Sequence, residues 1–408
     1  MKEGWKRVKI GDLGQVVTGN TPPKKDPSNY GSKYPFIKPT DMDIDRRYVT
    51  SWDENYSEKA FKRYKNSYIP PKSTGVVTIG TVGEKIFQAD RYCFTNQSVN
   101  VVIPSEDYDE DFVYYVLKIN LPKVLNANPG TASGRHHVSK SNFCAIKIDV
   151  PNSKETQRKI ANILSAYDDL IEYNLKRIKL LEEQAQQTYE EWFVRFKFPG
   201  YETAEYDEES GLPVGWEYIK VDDLLGKVKS TTKIKSTEIL ETGLIPVVDQ
   251  SRSFIKGFTN DRTALLNTKD PIIVFGDHTR ILKFINFPFA RGADGTQVIL
   301  SKNERMPQHL FYYSLLNIDL SNYHYARHFK FLKDCEVILP KKVQSTEFEQ
   351  FAKQSYNMIL NLQKQNQLLK EARDILLPRL MSGMIDVDSW EVNAGLGMVA
   401  EGNSGYGE

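Results

Sequence analysis

The sequence predicts a mixed α/β protein built twice: two similar globular domains joined by two long antiparallel helices that form a coiled coil, a pseudo-twofold tandem repeat. Three observations predict it. Six segments of the first half return in the same order in the second. A heptad pattern runs near the middle of the chain and again near its end, and two basic blocks alternate with neutral or acidic ones.

The repeat opens with GWKRVKIGDL (Gly4 to Leu13), which returns as GWEYIKVDDL (Gly215 to Leu224). VVTIGTVGEKIF (Val76 to Phe87) is echoed by IIVFGDHTRILKF (Ile272 to Phe284), and QSVNVVIP by TQVILSK. The apolar FVYYVLKIN (Phe112 to Asn120) matches HLFYYSLLNI (His309 to Ile318), and RHHVSKSNFCAIKIDVP (Arg135 to Pro151) resembles ARHFKFLKDCEVILP (Ala326 to Pro340). Each half then ends in a long helical run. The β-branched runs near Val76, Val99, Ile272 and Val298 read as strands, and 112–120 and 309–318 as helices. The boundaries that follow are a first domain over 1–151, a first helix over 152–198, a second domain over 199–344, a second helix over 345–382 and a tail over 383–408.

The first helix starts after Pro151, with Asn152 and Glu155 as its expected capping pair. Its seam takes Ile160, Tyr167, Asn174, Leu181 and Thr188 together with Leu164, Ile171, Ile178, Ala185 and Trp192. The second seam takes Phe348, Ser355, Leu362, Leu369 and Leu376 with Ala352, Ile359, Asn366, Arg373 and Leu380; Ser355 and Arg373 are its two flaws. A sustained period of seven argues for a coiled coil, and runs of about 40 residues would span roughly 60 Å. Antiparallel pairing of the midpoints puts Asn174 opposite Asn366, where facing amides would favour one orientation and register. Two unrelated, outward-facing asparagines are the alternative reading.

Composition is that of a water-soluble globular protein: 408 residues, 40% hydrophobic and 26% charged. No apolar run approaches the roughly 20 residues of a membrane span. The first segment has no signal-peptide core, so a cytoplasmic protein is expected. Cys93, Cys144 and Cys335 lie far apart, with neither disulfide nor zinc spacing, and read as core or incidental thiols. The net charge of +1 divides into +5 for 1–152, 0 for 153–200, 0 for 201–345 and −4 for 346–408; the acidic YETAEYDEE (Tyr201 to Glu209) masks a second basic block. Two basic modules held apart by helices suit DNA, whose half-sites are read at a separation set by protein geometry.

The segments GWxxVxIGDL, TGNTPPKKDPSNYG, PFIKPTDM, TIGTVGEKIF, ETQRKIANILSAYDDLIEYNLKRIKLLEEQAQQTYEEWF and LLKEARDILLPRLMSGMIDV together resemble the specificity subunits of Type I restriction-modification enzymes, over about residues 4 to 388. The resemblance implies two target-recognition domains, each reading half of a split sequence in double-stranded DNA, and helices that pack antiparallel. It further implies a chain without catalytic activity that docks two methyltransferase subunits and, through them, restriction subunits. S-adenosylmethionine, ATP and magnesium would then sit on those partners, and no membrane is involved. The second half departs from the pattern: VKSTTKIKSTEILETG stands for TGNTPPKKDPSNYG, and GDHTRILK for the GTVGEK turn, so the two domains are expected to read different half-sites.

Candidate DNA contacts begin with Thr21, Lys24 and Lys25, on a proline-stiffened loop suited to phosphate, although a solvated charge pair fits the same residues. Arg135, His136, His137 and Lys140 lie in a small-residue segment that could approach a backbone closely, and Tyr323, His324, Tyr325, Arg327, His328 and Lys330 form its counterpart. His278 and Arg280, on a strand turn with Asp277, are preferred as DNA contacts over an acid–base pair, because no nucleophile accompanies them. The adjacent histidines lack the acid or cysteine that a metal site needs. Neither a phosphate-binding loop nor a hydrolase or methyltransferase tetrapeptide is present, which argues against a stand-alone enzyme. A coiled-coil scaffold that binds no DNA is the other rival.

Overall fold

The computed structural model describes residues 3–128, 136–322 and 327–389. They form two compact units, one of residues 1–175 with 363–408 and the other of 176–362. The division falls in the middle of both long helices rather than at their ends, so each unit contains a globular domain and a segment of each helix.

In the first unit, strand Trp5–Lys9 pairs antiparallel with Lys147–Pro151. A four-stranded sheet has the order Gly14–Thr18, Val99–Pro104, Thr74–Val77, Ile86–Gln88, antiparallel throughout. A second sheet contains a short parallel pair, Tyr34–Ile37 with Phe94–Thr95, flanked by Glu54–Tyr56. The second unit repeats the scheme. Glu217–Lys220 pairs with Glu336–Leu339, and Ile272–Gly276 lies between Leu282–Ile285 and Thr296–Ile299. Ile245–Val248 runs parallel to Phe289–Arg291 beside Gly257–Thr259. The duplication is therefore one of topology as well as sequence, down to the parallel pair, whose two strands need a long crossover and are a poor candidate for coincidence.

Helix Glu110–Ile119 packs Phe112 to Leu117 against the sheet and against Ile160, Ala161, Leu164, Leu377 and Leu380 of the long helices. Asp109 caps it by accepting from Phe112 N, and Gln157 Oε1 accepts from Asp109 N. In the second unit helix Gln308–Leu316 packs on Tyr189, Phe193, Phe348 and Ala352. Glu349 takes over the capping there, accepting from the backbone N–H groups of His309 and Leu310.

The first long helix runs Lys154–Tyr189 and closes in a π-helical turn, Glu190–Val194. Its N-cap is Ser153, whose hydroxyl accepts from Thr156 N at 3.3 Å, and not Asn152. A serine directly before the first turn places its oxygen over the free N–H groups, and Asn152 is one residue too early. The second runs Lys342–Met381 and ends on Gly383, whose φ of +66° is the left-handed cap conformation glycine adopts freely.

Within each unit the helix segments pair antiparallel. In the first, Asn174 Nδ2 donates to Asn366 Oδ1 at 2.9 Å, with both residues buried. About two turns further along, Arg373 donates to Asp168 at 2.5 Å; their side chains are 2% and 3% exposed. Ile171 is buried in the same segment and Leu369 half-buried. In the second unit Ile178, Ile359 and Leu362 form an apolar cluster with Leu181 against it. Beyond Ala185 the buried positions are Tyr189 and Phe193 in place of the expected Thr188 and Trp192.

Candidate nucleic-acid interface

Strand Gly14–Thr18 of the first domain leads into Gly19, where a Cβ would lie 2.1 Å from the Thr95 carbonyl oxygen and 2.3 Å from that of Asn96. Only glycine lets the two segments touch, and the next residues exploit the contact. Asn20 N donates to Thr95 O at 2.9 Å, and the Thr21 hydroxyl donates to Gln97 Oε1. The Tyr56 and Tyr30 hydroxyls hold the carbonyls of Asn20 and Pro22. The loop is thus fixed at its base while Lys24 and Lys25 stay exposed. Lys24 Nζ lies 3.6 Å from the half-buried Glu54, which Lys38 also approaches, and the Lys24 side chain itself stays open to solvent.

The turn after Thr95 continues the rim. Thr78 N donates to Ser98 O at 2.8 Å, and the strand end beyond Thr78 receives the histidine segment: Val138 N donates to Thr78 O, Gly80 N to His136 O, and Ile79 bridges His137. Asn128 fixes the chemistry of the first ring. Its Oδ1 accepts from His137 N, so its Nδ2 donates to His136 Nδ1 at 2.7 Å, and the neutral imidazole carries its proton on Nε2. Lys140 opens a short helix, Lys140–Ala145, capped by Ser139, and is exposed. One hydrogen-bonded rim thereby joins Thr21, His136, His137 and Lys140, with Lys24 and Lys25 on its loop. Arg135 lies outside the described residues.

The second domain docks the matching segment on the matching strand end by different means. His328 N donates to Asp277 O at 3.0 Å, and Phe329 N donates to the Asp277 carboxylate at 2.8 Å, so Asp277 anchors helix His328–Asp334. A carboxylate used in that way serves structure and not acid–base chemistry. His328 is a correction to the sequence reading: it is 7% exposed and its Nδ1 donates to Asp277 O at 2.9 Å, so the ring fixes the segment instead of facing a ligand. Arg327 and Lys330 on either side are exposed, as is His278. His324, with Tyr323 and Tyr325, lies outside the described residues. Arg280 has φ +61°, a left-handed conformation unusual for a residue other than glycine, and its guanidinium donates to Leu320 O at 2.9 Å. The strained turn is held by Gln250, whose Oε1 accepts from His278 N and whose carbonyl accepts from Thr279.

The site residues that the sequence did not single out are the two glutamines, Gln97 and Gln250, which organise the rims. Their only trace is the glycine beside each, Gly19 and Gly276, the latter with Thr279 and Gln250 crowding its α-carbon. Cys93 is buried, and burial pushes its thiol up to about 12, which leaves it inert. Among the described residues no group of His, Cys, Asp and Glu is arranged to hold a metal ion, and no helix is long and apolar enough to cross a membrane.

Residues 2–183 match the family model of the Type I restriction modification DNA specificity domain. Along 94% of its length the chain is 28% identical to a Type I restriction enzyme specificity subunit, MjaIX, of Methanocaldococcus jannaschii, of which it covers 94%. The first half of the chain thus matches the Type I DNA specificity domain, and nearly the whole chain is similar to a Type I specificity subunit. A second member, the HindI specificity subunit of Haemophilus influenzae, is 30% identical over 44% of this chain and 39% of its own. The crystal structure of a Type I S subunit from M. genitalium has the same fold, with a TM-score of 0.57 at 17% identity over 92% of this chain and 96% of that one. In this chain the family-model match includes the first domain and most of the first helix. The rim with Thr21, Lys24, Lys25 and the histidine pair lies within it, whereas its rebuilt counterpart around Asp277 and Gln250 lies beyond it.

Proposed function

We propose that this chain is the DNA-reading, non-catalytic subunit of a Type I restriction-modification assembly, with each globular domain taking one half of a split target. The observation that carries the reading is the repeated placement of a basic, imidazole-bearing segment on the same strand end of both domains, docked through Thr78 to Gly80 in one and through Asp277 in the other. Thr21, Lys24, Lys25, Arg135, His136, His137 and Lys140 contact one half-site. His278, Arg280, His324, Arg327 and Lys330 contact the other. Lysine and arginine position the chain on phosphates, while imidazole groups reach base edges. The continuous helices set the separation of the half-sites and dock two methyltransferase subunits, which in turn hold the restriction subunits. S-adenosylmethionine, ATP and magnesium belong to those partners, and the assembly works in the cytoplasm.

The deciding experiment is a map of methylated bases in the source genome before and after deletion of the gene. Loss of methylation at one split motif is expected, and it names both half-sites. Replacing His136, His137 and Lys140 with alanine is expected to weaken one half-site alone, measured by binding of the full chain to duplexes varied one half at a time. Equal loss at both halves, or purified chain that methylates or cuts DNA unaided, would refute the reading.

A further inference from the structure

Gln97 stands where the rim of the first domain is most firmly built. Its turn is pinned on three sides: Asn96 N donates to Ile37 O, Thr78 N donates to Ser98 O, and the Gly19 contact brings Asn20 N to Thr95 O. Asn96 Oδ1 also accepts from Ser98 N at 3.1 Å, closing the turn on itself. On this rigid base the side chain of Gln97 is exposed, between the lysine loop and the histidine segment. The Thr21 hydroxyl donates to its Oε1 and so orients the carboxamide plane.

A carboxamide oxygen has two lone pairs and its nitrogen two protons. With one lone pair engaged by Thr21, Gln97 retains one acceptor site and two donors side by side. That pair matches the major-groove edge of adenine, where N6–H donates and N7 accepts. We infer that Gln97 reads an adenine in the half-site taken by the first domain, with Thr21 as its positioning residue. The inference rests on the DNA-reading function proposed above. It concerns one half-site only: the corresponding turn of the second domain is Asp294-Gly295, where Gly295 O accepts from Asp277 N, and the carboxamide against it, that of Gln250, comes from another segment and accepts from the backbone N of His278.

The test is selection of preferred duplexes from a randomised pool by the full chain, for wild type, Gln97→Ala, Gln97→Glu and Thr21→Val. Wild type is expected to fix an adenine at one position. Gln97→Ala should lose that preference by roughly 5- to 150-fold, the discrimination of a bidentate pair, and leave all other positions unchanged. Gln97→Glu, whose carboxylate only accepts, should move the preference at the same position toward cytosine, whose amino group donates. Thr21→Val should give a smaller loss at that position and no new preference. The inference is overturned if Gln97→Ala weakens all sequences equally, as loss of a phosphate contact would, or if the affected base is not adenine. A wild-type chain with no base preference at all would overturn the DNA-reading function itself, an outcome distinct from either of these.

Discussion

The two units solve the same packing problem with opposite chemistry. In the second, the helix segments meet through Ile178, Leu181, Ile359 and Leu362. In the first, Asp168 and Arg373 meet between the segments as a buried ion pair. That pair is the centre of a network. Tyr115 donates to Asp168 at 2.6 Å, and Arg47, only 1% exposed, lies 3.4 Å from the Tyr115 hydroxyl while donating to Asp111 and Gln88. The loop that supplies Arg47 also reaches both helices from outside, Arg46 to Glu172 and Asp45 to Lys370. The counterpart of Tyr115 in the second unit, Tyr313, stacks near Tyr189 and meets Phe348 edge-on. Apolar contacts hold helices together without caring which register they adopt; ion pairs and the Asn174–Asn366 bond cost desolvation but are satisfied in one register only. The first unit therefore specifies the alignment, and the second supplies cohesion.

The sharpest way to break this contrast is to remove one partner of the buried pair. Arg373→Leu leaves the Asp168 charge buried without its cation, and a loss of about 3–5 kcal/mol is expected in the unfolding of the first unit. Urea denaturation of the full chain should show the first unit's transition move and the second unit's stay. Replacing both partners tests the division of labour itself. Asp168→Leu with Arg373→Leu imitates the second unit, and a change between neutral and about 1–4 kcal/mol of added stability is expected. If alignment depends on the pair, the doubly substituted chain gains midpoint but shows mixed association by light scattering, as seams free to slide pair with other copies.

How much of this was legible beforehand follows from what each residue type signals. The period of seven placed Asn174, Asn366, Ile359, Leu362 and Arg373 in the seams, and those residues are buried in the structure. Arg373 read as a flaw because a charge in a seam signals nothing until its partner is known, and Asp168 lies one position away from the expected Tyr167. The drift toward Tyr189 and Phe193 has a geometric cause: a straight helix gains about 20° per heptad over a strict repeat of seven. The topological duplication was readable because strands and helices recur in order. The rims were readable only as composition. A cluster of Lys, Arg and His marks a basic surface, but nothing in the sequence pattern says that His328 is buried, that Asp277 caps a helix, or that an exposed glutamine such as Gln97 is held in place.

A milder substitution sharpens the same comparison from the apolar side. Ile359→Val removes one methylene from the second unit's cluster, and a loss of about 0.5–1.5 kcal/mol in its transition is expected, with no change in association state. The equivalent small change among the polar residues should not behave so simply, because a buried polar group left short of a partner costs more than the atoms removed.

The smallest effect expected is the most selective, since it uses pH and no change of shape. Burial pushes the Asp111 carboxyl up, but the charges of Arg47 and Lys72 outweigh it and hold the carboxyl below its usual value. A carboxylate depressed in the folded state adds stability that is complete above the unfolded value of about 4 and is lost as pH falls through the folded value. Acidification below about pH 4 should therefore lower the first unit's midpoint. Asp111→Asn should start lower and show a shallower decline over the same interval, while the second unit's transition keeps its wild-type pH dependence. An unchanged slope in the variant would place the acid sensitivity elsewhere in the network, and would leave Arg47 held chiefly by Gln88 and the ring of Tyr115.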